Sequence, residues 1–341
     1  MNNLNVAFQM GKLVAALVLA AGFAAASPVI TVLYDPTVIF SSADKLQIQN
    51  AIDFYTANIT STFDVTIAVG SQAGGGASTS SFSNTVDYST YYDALAAHSS
   101  GNATDTTAIA SLGVVGAGAD NPLTPTKNIS LKTNLAAYLG LVGSPASTSF
   151  SNCGNLTANA CIDVGTDVLN APGFPTGTPN GSLMGTFEHD FDEVLGTPSA
   201  LSNGVLPTDP SAADLFRYSA PGPAGRSFAL NASTDIPCTG SPTAYFSIDG
   251  GVTNLNPYNN CNNGGDYGDW IFTNGLQVQD AFGPDDVASS LNLSSPEVTL
   301  LDAVGYNFSS ASTTPEPSSV VMLLTGLAAI PVLRKRLTGR S

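Results

Sequence analysis

The sequence predicts an α+β body in which amphipathic helices pack on a small sheet, with a loop-rich, disulfide-stapled second half. Three observations predict it. Short β-type runs alternate with segments of helical period in the first part, one later segment has a strongly apolar helical face, and the 4 cysteines form an even set.

The elements follow in order. Val29 to Tyr34 reads as a strand, and Asp44 to Asn58 as a helix with Ile48, Ile52, Tyr55 and Ile59 on one face and Ser41 or Ser42 as its cap. Val65 to Val69 reads as a buried strand ending at Gly70, and the Gly/Ser/Thr-rich stretch from Ser71 to Asn84 as a surface loop. Tyr88 to His98 has helical spacing, and a third short helix is expected over Asn134 to Leu139. From Ser144 to Gly181 turn formers predict an irregular excursion with a strand near Cys161 to Val164. Ser182 to Leu195 is an amphipathic helix burying Leu183, Phe187, Phe191, Val194 and Leu195. Beyond Gly196 short strands such as Ala244 to Ile248 are expected among Pro- and Gly-rich segments, and Pro296 to Val304 is a final helix stopped by Gly305. No internal repeat of fixed period is evident.

The two ends look like processing segments. Lys12, the apolar run from Leu13 to Phe23 and the small residues Ala24 to Ser27 have the form of a cleavable secretion signal over residues 1–26, a substrate for signal peptidase. At the other end Thr314-Pro315-Glu316-Pro317-Ser318 leads into the apolar Val320 to Leu333 and then Arg334, Lys335, Arg336 and Arg340. That order resembles the PEP-CTERM sorting signal over residues 314–341. The resemblance implies transient anchoring in the inner membrane, cleavage near Pro315, Glu316 and Pro317 by an exosortase, and release to the cell surface or extracellular matrix. The apolar run has 14 residues, about 21 Å as a helix against a hydrocarbon core of about 30 Å, so it is short for a permanent anchor. The body between the ends divides into 27–205, which carries the best helix, and a loop-rich 206–313.

That body is strongly acidic. Its basic residues are Lys45, Lys127, Lys132, Arg217 and Arg226, set against 25 of the chain's 26 acids, Glu316 being the exception. Such a surface repels phosphate backbones and argues against nucleic-acid binding. Arg217 and Arg226 are expected to pair with buried acids. In an exported chain Cys153, Cys161, Cys238 and Cys261 read as two disulfides, and of the three pairings short loops favour Cys153 with Cys161 and Cys238 with Cys261.

Chemistry concentrates in Phe187-Glu188-His189-Asp190-Phe191-Asp192-Glu193-Val194-Leu195-Gly196. On a helix His189 and Glu193 project from one face and can grip one cation, while Asp190, about 100° further round, is placed to activate water. This is the geometry of the zincin helix His-Glu-x-x-His with Asp as the base and Glu as the second ligand; Gly196 falls where the longer metzincin signature puts its glycine, and Ser199 where that signature has a third histidine. None of Met1, Met10, Met184 and Met322 lies downstream in the body to make a Met-turn.

Here the chain resembles a zincin-like metalloprotease family found among PEP-CTERM proteins. The resemblance is carried by Ile48 to Val69, Tyr88 to Leu112, Phe187 to Gly196, Ser211 to Ser219, Tyr245 to Gly251, Gly265 to Trp270 and Pro296 to Tyr306. It implies His-Glu followed by Glu-Val-Leu-Gly; His189, Glu193, Val194, Leu195 and Gly196 match, and Asp190 departs from it. With only 2 histidines in the chain, the third ligand has to be an acid or a tyrosine, Asp214 first and Asp209 behind it. His98 is expected to serve a helix end. Asp249, Asp266 and Asp269, amid Asn and Gly, offer hard oxygen ligands for calcium. The expected function is a zinc-dependent endopeptidase, or a degenerate relative, acting on a peptide or protein. The alternative is a non-catalytic surface, exopolymer-matrix or adhesion protein in which the acids of 188–193 are the solvated face of the helix.

Overall fold

The computed structural model describes residues 27–169, 183–202, 204–238, 243–272, 276–282 and 291–309. The expected secretion signal and the sorting tail with Pro315, Glu316 and Pro317 lie outside the described residues.

Strand β1 (Val29–Tyr34) matches its expected range. Helix α1 (Ser42–Asn58) starts from a capping box: Ser41 Oγ accepts from the Asp44 N–H at 3.1 Å, and Asp44 Oδ2 accepts from the Ser41 N–H at 2.7 Å. Its Ile48, Ile52 and Tyr55 are buried, as their spacing requires. Strand β2 (Asp64–Gln72) lies parallel to β1 in the register Val29 with Asp64 to Tyr34 with Val69.

The next stretch departs from expectation. Ser71 to Asn84 is not a loop: it extends β2 and then contributes β3 (Ala77–Ser81) and the start of β4 (Ser83–Asp87). Serine and threonine in this stretch satisfy the ladder with their backbones and keep small side chains on a half-exposed strand, a pattern that composition alone does not separate from a loop. Asp87 caps α2 (Tyr88–His98) through the N–H groups of Ser89 and Thr90. A helix not anticipated, α3 (Ala103–Leu112), follows from the Asn102 cap, and β5 (Asn128–Lys132) pairs antiparallel to β4. Helix α4 (Thr133–Tyr138) agrees with expectation.

The cysteine excursion is a hairpin of β6 (Thr148–Phe150) and β7 (Leu156–Ala158) leading into β8 (Ala160–Gly165). Strand β8 is buried along its whole length between β2 and β3. The main sheet therefore runs β1-β2-β8-β3, parallel except for β3, which is antiparallel and forms the edge. Helix α5 (Leu183–Leu195) packs on this sheet against β3 and β8 and along α1, where the rings of Tyr55 and Phe191 meet at 4.8 Å. The expected face, Leu183, Phe187, Phe191, Val194 and Leu195, is fully buried.

After α5 the chain is loop-rich, with only the two-residue strands β9 (Arg217–Tyr218), β10 (Tyr245–Phe246) and β11 (Asn256–Pro257) before α6 (Pro296–Val304). Ser27 to Phe308 is one compact α+β unit with small sheets. Both disulfides have the expected pairing, Cys153–Cys161 and Cys238–Cys261. They do not both fall in the second half, because the first ties the hairpin to β8. Among the described residues no helix is long and apolar enough to cross a membrane.

Among the described residues neither Arg217 nor Arg226 forms an ion pair with an acid. Arg217, with no exposed surface, donates to the Tyr267 carbonyl at 2.6 Å and to Asn260 Oδ1, and its guanidinium lies 4.1 Å from the Tyr258 ring centre. Arg226 donates to the carbonyls of Leu215 and Ser111 and lies over Tyr218. With a further bond from Nε to the Phe228 carbonyl at 3.4 Å, Arg217 cross-links the segments at Phe228, Asn260 and Tyr267 by charge-assisted bonds to two carbonyls and one side-chain amide oxygen. Replacing it by Met strands these acceptors, so Arg217→Met is expected to lower unfolding free energy by at least about 2 kcal/mol in denaturant titration; a loss below about 0.5 kcal/mol contradicts this role.

Candidate metal centre

Helix α5 is wrapped on almost every side. Of the acids it carries, Glu188, Asp190 and Asp192 are at most 3% exposed, so they are not a solvated helix face. Buried carboxylates need hydrogen bonds or opposite charge. Tyr55 donates its hydroxyl to Asp192 Oδ1 at 2.7 Å, and Thr79, from the edge strand β3, donates to Asp190 Oδ1 at 2.6 Å.

His189 and Glu193 sit one turn apart and share a face, as the i,i+4 spacing requires, with Nε2 of His189 3.9 Å from Oε1 of Glu193. A third group joins them from far along the chain. Asp269 places Oδ1 at 3.6 Å from the same Nε2, and one donor atom from each of the three lies within 4.8 Å of the others. Ligands about 2.1 Å from a tetrahedral zinc are about 3.4 Å apart, so each carboxylate oxygen lies within about half an ångström of that spacing from His189 Nε2.

The imidazole is held in the tautomer a metal needs. Its Nδ1 donates to the Val278 carbonyl at 2.9 Å, so Nε2 is the nitrogen that faces Glu193 and Asp269 and that would offer its lone pair to a metal once its own proton is displaced. Gln279 clamps the same turn by donating to the His189 carbonyl at 2.7 Å.

Asp269 is positioned by its neighbour. Trp270 has no exposed surface, stacks on Phe246, meets the tilted ring of Tyr258 at 4.7 Å, and donates from Nε1 to Glu297 Oε1 at the start of α6. Backbone bonds from Asn259 to the Asp269 carbonyl and from Trp270 to the Gln279 carbonyl fix the segment on both sides. Gly268 allows the close approach: a Cβ there would stand 2.6 Å from the Ser199 nitrogen, just past the end of α5.

The electrostatics describe a site short of positive charge. Burial opposes charge on His189, but the carboxylates of Asp269, Glu193 and Asp190 outweigh it and raise its pKa to about 10. Burial raises Glu193, and pushes Asp269 well up, with His189 pulling both the other way. Asp190 is raised to about 7 by burial, helped by Glu193 and resisted by His189 and by the Thr79 hydroxyl. One imidazolium does not compensate three carboxylates, although Lys132 adds positive charge to the field at Glu193. One imidazole nitrogen and two carboxylate oxygens are donor types that a divalent ion such as zinc takes.

Asp214, the expected third ligand, is elsewhere: it accepts from Ser199 Oγ at 2.6 Å and from the backbone of Ala200 and Ser211 at 2.9 Å each. Nothing local in the sequence demanded it, and three donors already occupy it. Asp209 accepts from Thr126 Oγ1. The expected calcium trio does not assemble either, since Asp249 folds its own turn by accepting from Ser247 and Thr253 while Asp269 joins His189. His98 packs beside Tyr138 with its carbonyl bound by Asn307. Among the described residues one other trio has metal-like spacing, Cys153, Cys161 and Asp163, and its thiols are in a disulfide.

Stability without metal follows from these shifts. Asp190 and, by burial, Asp280 are raised to about 7, so the folded chain holds protons there that the unfolded chain releases near pH 4. Their contribution is full below about pH 4 and is lost as pH rises to about 7; that of His189 is full below about pH 6.5 and is lost toward pH 10. Both act in one direction. The melting temperature of metal-free protein is expected to fall from pH 5 to pH 9, and a flat or rising profile contradicts the buried, undercompensated site. In comparison with known proteins, no family model matches the chain, and no curated protein or solved structure does either.

Proposed function

We propose that the chain is an exported zinc peptidase of the zincin type, sorted to the cell surface by its PEP-CTERM-like tail. The observation that carries this reading is the convergence of His189 Nε2, Glu193 Oε1 and Asp269 Oδ1, with Nδ1 of the histidine tied to Val278. Three protein ligands leave a tetrahedral ion one position for water or substrate, which is the ligand count of catalytic zinc. Zinc in that position supplies Lewis-acid polarisation of the scissile carbonyl.

The chain's own residues take the remaining roles. Asp190 follows His189 in sequence, as a zincin base does, and a pKa of about 7 is near the operating optimum for accepting and returning a proton. Thr79 holds one of its oxygens, which orients the carboxylate from the sheet side. Strand β3 ends the main sheet, and its outer edge suits an extended peptide laid as a further strand. The export part rests on the Lys12 to Ser27 and Thr314 to Arg340 patterns, and two disulfides suit an oxidising compartment.

Metal analysis and a casein-type assay on the purified chain test the reading together. About one zinc per chain is expected, lost with activity in His189→Ala and in Asp269→Asn. In Asp190→Asn zinc should remain while turnover falls at least about 100-fold. Zinc without turnover in the unaltered chain would mark a degenerate relative, and absence of stoichiometric zinc would overturn the peptidase and leave a surface or matrix role.

A further inference from the structure

Past the end of α5 lies a cavity of about 90 Å³, and its Pro198–Ser199 wall packs against Gly268, the residue before Asp269. Ser83, Ser130, Ser199 and Ser211 line it with Gly196, and Lys132 is the one charged residue among its lining. Its size matches a short side chain: a water occupies about 30 Å³ of liquid, so the space equals roughly three waters.

Lys132 is unusual in this chain. The body is overwhelmingly acidic, and this lysine ends β5 directly opposite Ser83, with its ammonium donating to Ser81 Oγ at 2.8 Å. An ammonium carries three donors, and one serine engages only one of them. Burial lowers its pKa, with the field of Glu193 and Asp266 acting against that, and the first of these carboxylates belongs to the candidate centre.

The walls are fixed independently of Lys132. Asp214 accepts from Ser199 Oγ and from the backbone of Ala200 and Ser211, tying two sides of the cavity together. Gly196, at φ 146°, turns the chain from α5 into the Pro198–Ala200 wall. This is a preformed recess with small polar walls, one cation and a metal-type cluster on the adjoining helix.

We propose that this recess binds a carboxylate of the substrate, with Lys132 as its counter-ion, and so selects peptides that present an acidic group next to the bond to be cut. The inference rests on the peptidase reading for its substrate class but not for the binding itself. The carboxylate has two sources, an Asp or Glu side chain or a peptide C-terminus. Lys132 is here a specificity-determining residue rather than a catalytic one.

Calorimetric titration of the full chain, with and without added zinc, tests it using three hexapeptides. One has blocked ends and an internal glutamate, one has a free C-terminal carboxylate and no acidic side chain, and one is neutral with blocked ends. At least one acidic probe should bind about tenfold more tightly than the neutral one, and which one does so identifies the source. Lys132→Met should erase the difference, and Ser83→Asp, which sets a fixed carboxylate at the rim opposite Lys132, should erase it while leaving Lys132 in place. Equal binding of the three probes, no binding by either acidic probe, or a preference that survives in both variants overturns the proposal. Preference for the acidic probes without zinc uptake or casein hydrolysis would sustain the recess and overturn only the peptidase.

Discussion

The account turns on one constraint: a helix that carries Glu188, His189, Asp190, Asp192 and Glu193 is packed between a sheet, a second helix and a loop. A buried carboxylate without a partner is among the costliest arrangements in a protein, so each neighbour of α5 supplies one. Tyr55 comes from α1, Thr79 from β3, and the Val278 carbonyl and Asp269 from the loops before α6. Those partners leave the His189 face undercompensated, since its added neighbour is another acid. A cation bound there would relieve the repulsion between the carboxylates and would have to displace the proton that they hold on His189.

The fold serves this helix. The parallel strands β1, β2 and β8 form an apolar floor, and the single antiparallel strand β3 is the one that meets α5 on its charged side through Thr79. The loop-rich half is held by polar links rather than by long strands. Arg217 clamps the segment that ends at Trp270, and Trp270 anchors in the core beside Glu297. Asp269 is thus delivered to His189 by a loop whose geometry depends on a buried tryptophan and a buried arginine.

How much of this was legible depends on whether the partner is near in sequence. The pairing of His189 with Glu193 follows from helical period alone, and so do the buried face of α5, the Ser41 cap and the final helix stopped at Gly305. Short cysteine loops indicated both disulfides. Asp269 is visible in the sequence only as a loop acid beside Gly268 and Trp270, because a side chain brought in by tertiary packing leaves no periodic trace; the large aromatic directly after it is the available signal. Nothing local singles out Asp214, and nothing in the sequence shows that Ser199, Ala200 and Ser211 already satisfy its carboxylate. Strand β3 was hidden by its Ser/Thr composition, and α3, with Thr104, Asp105, Thr106 and Thr107 in its first turns, has too few apolar residues to show a clear face.

The central claim, that one imidazole and two carboxylates from α5 and the Trp270 loop hold a single zinc, is tested most directly by X-ray absorption at the zinc edge on the loaded chain. One nitrogen and two carboxylate oxygens at about 2.0–2.2 Å, with one water oxygen completing a four-coordinate shell, is the predicted result. A shell containing sulfur, a shell without imidazole scattering, or a spectrum unchanged in Asp269→Asn would contradict it.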